Sequence, residues 1–133
     1  MAARSKARKR ALDILFEADQ RDVSASEVLT RAAADELNVY VSELISGVLQ
    51  HQAVIDETIE TYSEGWPLSR MPAVDRAIAR IAVYELLYNE EIPDGVAIDE
   101  AVTLASDLST DDSPVFLNGL LGRIAAIKHR ISR

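Results

Sequence analysis

The chain has 133 residues, 48% apolar and 27% charged, which suits one globular domain with a core of its own and excludes a disordered chain. Cysteine is absent, which excludes disulfides, thiolate metal sites and a cysteine nucleophile. The net charge of −8 argues against nucleic acid until its distribution is seen, because Arg4, Lys6, Arg8, Lys9 and Arg10 place five of the 14 cations in the first ten residues, with no acid among them. A basic patch on an anionic body suits a polyanion held at one place. The bland alternative is a frayed, solubilising segment. No apolar run approaches the roughly 20 residues that span a bilayer, and the start lacks the hydrophobic core of a signal peptide, so a cytoplasmic protein is expected.

From Lys6 to Ala18 the apolar residues Ala7, Ala11, Ile14, Leu15 and Ala18 fall on one helical stripe, so the basic cluster sits on the first turns of an amphipathic helix. Cations there oppose the helix dipole, by roughly 0.3–1 kcal/mol each, while the open amides of the first turn already favour anions. A phosphate ligand resolves that conflict. Ser24-Ala25-Ser26-Glu27 matches a capping box and predicts a short helix to about Ala34. A longer helical region follows from about Leu37 to Tyr62, with a break near His51 and with Gly47 allowing a close helix crossing.

Trp66-Pro67 and Met71-Pro72 bracket a connector, and Pro72 is expected as the first residue of the next helix, which carries Val74, Ile78, Ile81, Tyr84 and Leu87. Ile92-Pro93-Asp94-Gly95 turns the chain into a helix over Val96 to Leu108, with Ile98, Ala101, Leu104, Ala105 and Leu108 inward. The last helix is announced by Asp111-Asp112-Ser113-Pro114, with Ser113 as its cap. The sum is an all-α, compact bundle of six or seven helices without a strand signal.

Catalytic chemistry finds no foothold. His51 and His129 stand in no metal-ligand spacing, and there is no P-loop, dinucleotide turn or nucleophile elbow. Asp111-Asp112 is explained by helix capping, and Glu85 by bracing a neighbouring helix end or an arginine. No enzyme activity, cofactor or metal is expected. Arg76 and Arg80 are four apart and share a helix face. They either pair with some of the many acids or extend the basic patch, if their helix neighbours the first.

Three segments carry a resemblance. They are Ala7-Arg8-Lys9-Arg10-Ala11-Leu12-Asp13-Ile14-Leu15-Phe16, then Val74 to Leu86 with Ile92-Pro93 and Val96 to Ala101, and finally Asp111 to Leu121. In order and spacing they resemble the NusB family of transcription antitermination factors. The resemblance implies two helical subdomains within a single RNA-binding domain over 1–133. It implies binding of boxA-type single-stranded RNA from ribosomal RNA leaders together with NusE, a small-subunit ribosomal protein, and indirect action on RNA polymerase with other Nus factors. By position it puts Arg4, Lys6, Arg8, Arg10, Arg76, Arg80, Asp112 and Phe116 on the RNA side, and Phe16 and Asp75 on the NusE side. Phe116 also fits the core pattern of the last helix. Some family members self-associate through the RNA face, so a homodimer stays open. The rival functions are a protein-binding helical adaptor without RNA readout, and the NusB-like domain fused to RNA methyltransferases. Against the latter stands the absence of a cofactor-binding domain after Arg133.

Overall fold

The computed structural model describes residues 2–32 and 39–133. Among these residues there are seven α-helices and no strand: α1 (Ala2–Arg21), α2 (Ala25–Ala32), α3 (Val39–Gln50), α4 (Gln52–Tyr62), α5 (Ala73–Tyr88), α6 (Asp94–Leu108) and α7 (Ser113–Ile127). Short 3-10 turns cover Leu68–Arg70 and Lys128–Arg130. The all-α bundle expected from the apolar spacing is therefore present. None of the described helices is long and apolar enough to cross a membrane.

Local signals account for most boundaries. The Ser24 hydroxyl accepts the Glu27 amide at 3.1 Å, half of a capping box, while the Glu27 side chain turns to Arg31 instead. The break at His51 separates α3 from α4. Three boundaries differ from expectation, the first being α6, which begins at Asp94 behind Pro93 and not at Val96. Pro72 is the cap in front of α5 and not its first residue, because its extended backbone (ψ 141°) lies outside the helix. Ser113 lies inside α7, whose cap is Asp112, because the Ser113 hydroxyl is drawn inward to Asp75. The expected ends at Ala34 and Leu37 lie outside the described residues.

The helices α1, α2 and α3 pack as one group and α4 to α7 as another, with α5 packed against members of both. Polar pairs fix the directions. Arg8 meets Glu85 and Asp19 meets Arg76, so α1 and α5 run antiparallel. Lys128, after α7, meets Asp94 at the start of α6, while Ser113, at the start of α7, meets Asp75 at the start of α5. Hence α6 runs with α1, and α7 with α5. One end of the bundle gathers the start of α1, the end of α5, the start of α6 and the end of α7. The other end gathers their opposite termini.

The core is aliphatic, with Ile14, Leu44, Ile45, Ile55, Ile59, Ile78, Leu117, Leu120, Leu121 and Ile124 fully buried. Burial of such side chains contributes roughly 1.5–3 kcal/mol each. Gly47 makes the close crossing that its position suggested: a Cβ there would lie 2.1 Å from the Tyr84 ring of α5. Gly47→Ala is therefore expected to destabilise by about 1–3 kcal/mol through overpacking, read as a lower midpoint in urea. An unchanged midpoint would show that the Tyr84 ring moves aside freely.

Candidate nucleic-acid interface

The start of α1 has no acid in its first turn, and its cations do not behave alike. Arg4 is exposed, pairs with Glu91 at 3.2 Å and lies 5.5 Å from the Tyr40 ring centroid. Lys9 is tied to Asp13 at 2.8 Å, one turn along. Lys6 is exposed and Arg10 half-buried, and neither makes an ion pair among the described residues. These two are four apart, so they share one face of α1.

Arg8 departs from expectation. It is only 3% exposed, and so cannot be a surface cation waiting for phosphate. Its Nε donates to both Glu85 oxygens at 3.0 and 3.1 Å, and its Nη1 donates to Glu100 at 2.9 Å. Tyr40 donates its hydroxyl to Glu85, and Asn89 donates to that hydroxyl at 3.1 Å. Burial opposes the Arg8 charge, but the Glu85 hydrogen bond and charge outweigh it, so the guanidinium pKa lies above its ordinary value. Burial first, and then Glu85, push the Tyr40 phenol well above its usual range, which keeps it a neutral donor. The expected bracing role of Glu85 is what the structure contains, with Arg8 as the group it braces.

This network ties α1 to α3, α5 and α6, and it sets the wall of a groove. The groove, of about 560 Å³, runs between α1 and α6, with Lys6, Lys9 and Arg10 on one side and Thr103, Leu104, Asp107 and Leu108 on the other. Leu108, expected inward, is 42% exposed at this rim. The groove thus offers two cations, Lys6 and Arg10, that are unpaired among the described residues, beside Leu104 and Leu108, with Asp13, Glu100 and Asp107 also on its walls. That combination suits a polyanion with flat apolar faces, such as a single nucleic-acid strand.

The remaining expected site residues lie at the other end. Between the levels of Arg8 and Asp19 helix α1 rises by about 16 Å, at 1.5 Å per residue. Arg76 therefore stands far from the basic cluster, bonded to Asp19 at 3.1 Å and to the Leu68 and Met71 carbonyls. Arg80 makes a two-point contact with Asp56 at 2.8 and 3.1 Å. Their helix does neighbour α1, but antiparallel packing carries them away from the patch, and both charges are matched. Asp75 is 0% exposed and accepts from the Ser109 and Ser113 hydroxyls, so it presents nothing to a partner. Asp112 is exposed at the cap of α7, without a side-chain capping bond. Phe116 is half-buried, its ring 4.9 Å from Trp66 in an edge-to-face contact at 70°. Phe16 is 37% exposed on α1.

A family model described as the NusB family matches residues 5–126. The chain belongs to the NusB family. The transcription antitermination protein NusB of Arthrobacter sp. (strain FB24) is 60% identical over 131 residues, covering 96% of each chain. The structure of T. maritima NusB is similar, with a TM-score of 0.83 at 34% identity, covering 92% of this chain and 90% of that one. A chain in the structure of antitermination factors NusB and NusE in complex with dsRNA shares the fold, with a TM-score of 0.83 at 23% identity over 95% of this chain and 98% of that one. In this NusB-family protein the sequence pattern missed Tyr40 and Glu100 as holders of the basic helix. It also missed the α6 wall of the groove. Nothing local marks those residues, since their partners lie 32 or more positions away in the chain.

Proposed function

We propose that this chain is a non-enzymatic transcription antitermination factor, one RNA-binding domain over 1–133. It takes boxA-type single-stranded RNA of ribosomal RNA leaders together with NusE, in the cytoplasm, and so promotes processive transcription by RNA polymerase with other Nus factors. The observation that carries the proposal is the α1–α6 groove, where Lys6 and Arg10 stand without ion-pair partners among the described residues, over Leu104 and Leu108. Membership of the family and the fold shared with a chain from a NusB, NusE and dsRNA complex support it.

In this proposal Arg4, Lys6 and Arg10 neutralise phosphates and give affinity with little sequence information. Leu108 of the groove ends α6, and in the turn that follows it Asp112 offers acceptors to base amino groups, while the Phe116–Trp66 pair offers an aromatic surface. For Arg76 and Arg80 to contact RNA, phosphate must displace Asp19 and Asp56, so their share is secondary. Arg8 acts through position, holding α1 in place. Phe16 is the better candidate for the NusE side, as an exposed aromatic on α1.

The test is binding of boxA-type, scrambled and duplex RNA, with and without NusE. Three phosphate contacts give a log affinity against log salt slope of about −2 on a single strand. Lys6→Ala with Arg10→Ala is expected to shallow that slope by about 1 to 1.5 units and to weaken boxA-type and scrambled RNA alike, with folding intact. An unchanged slope would remove the groove from the RNA site. Binding of NusE that ignores RNA altogether would favour the helical adaptor.

A further inference from the structure

A second basic surface lies at the same end of the bundle as the start of α1. All 22 acids of the chain fall between Asp13 and Asp112, whereas residues 113–133 hold Arg123, Lys128, Arg130 and Arg133 and no acid. The body between the two basic segments carries five cations against those 22 acids. Charge is thus sorted into two basic segments on either side of an acidic middle, and the fold decides where they meet.

They meet at the turn between α5 and α6. Arg4 pairs with Glu91 in that turn, and it lines a hollow with Ile92, Pro93 and Val96. From the other side Lys128 pairs with Asp94 at 2.6 Å and donates to the Leu86 carbonyl at 3.2 Å. Those two bonds fix the 3-10 turn after α7 beside the first turn of α6. Lys128 is accounted for by them, and by the negative end of the α7 dipole. Arg130 and Arg133 are not: both are exposed and make no ion pair among the described residues, although Glu90 and Glu91 are exposed in the adjoining turn. Burial pushes the Tyr88 phenol up, with the Arg133 charge opposing that shift, and Tyr88 stacks on His51 with centroids 3.8 Å apart. Arg130 lines a hollow against α4 with Val54, Glu57 and Tyr62, so here too a cation unpaired among the described residues stands over apolar surface.

We infer that Arg130 and Arg133 form a second contact for single-stranded RNA, taking nucleotides that run beyond the α1–α6 groove past the start of α1 and across the α5–α6 turn. This inference rests on the RNA-binding function proposed above. The contact is one of phosphates, so it lengthens the bound strand and adds affinity without adding sequence preference.

The experiment compares the boxA-type RNA with the same RNA extended at either end by a run of uridines. It uses the full chain, Arg130→Ala with Arg133→Ala, and Arg21→Ala with Arg31→Ala as a pair of equal charge change on exposed cations at the far end. The full chain is expected to bind the extended RNA several-fold more tightly, with a salt slope steeper by about 1 to 1.5 units. Arg130→Ala with Arg133→Ala is expected to bind the short RNA as before and to lose that gain, while the Arg21 and Arg31 pair keeps it. Equal gain in the Arg130 and Arg133 variant overturns the inference and leaves the proposed function standing. So does equal loss in the Arg21 and Arg31 variant, which would make the effect one of bulk charge. Failure of the full chain to bind either RNA overturns the function and the inference together.

Discussion

Arg8→Ala is expected to lower the unfolding free energy by about 3–5 kcal/mol, although the position sits in what the sequence presents as a surface cluster of cations. The substitution leaves Glu85, itself 1% exposed, as a buried carboxylate without its cation. It also removes the hydrogen bond to Glu100 that joins α1 to α6. Tyr40 still donates to Glu85, but one neutral hydroxyl does not replace a guanidinium in a low-dielectric site. Adding Glu85→Leu to Arg8→Met should restore much of the loss, since a well-packed apolar pair avoids the desolvation of both charges. Urea unfolding of Arg8→Met, Glu85→Leu and the double variant gives the coupling directly. A loss below about 1 kcal/mol for Arg8→Ala would show that water reaches Glu85 and that the network is not sealed. The neighbouring Arg10→Ala should leave stability nearly unchanged, which separates the framework cation from a ligand-facing one.

Asp75→Arg is expected to abolish cooperative folding. The carboxylate is enclosed, in the first turn of α5 and against the first residue of α7, so the positive ends of two helix dipoles face it. The Ser109 and Ser113 hydroxyls complete its partners. A guanidinium there meets the same two dipoles with the wrong sign, and it needs a volume the site does not have. Asp75→Asn keeps the size and one acceptor, and should cost only about 1–3 kcal/mol. Thermal unfolding followed by circular dichroism distinguishes the cases. A folded, stable Asp75→Arg protein would mean that the side chain escapes to the surface and that the position is open to a partner after all. Lost NusE binding in Asp75→Arg would otherwise report on folding. Phe16, partly exposed on α1, is the position at which a partner contact is tested without that confusion.

Helical periodicity was legible in the sequence because it is local: side chains three and four apart share a face wherever the chain goes. For the same reason the capping serine at Ser24, the break at His51, the turn at Pro93 and the need for a small residue at Gly47 could be read from the chain alone. Charge sorting was legible too, since it is a matter of counting. The tertiary structure alone decided which cations are free. Arg8 and Arg10 are two residues apart in one basic run, yet about 200° of helix rotation, at 3.6 residues per turn, puts one against Glu85 and the other on the groove. Antiparallel packing of α1 on α5 then carried Arg76 and Arg80 to the end opposite the basic cluster. The return of α7 brought the segment of Lys128, Arg130 and Arg133 to the end of the bundle where α1 begins, from more than a hundred residues away. Composition specifies how much charge there is, but burial and helix direction, which depend on partners distant in the chain, determine where it can act.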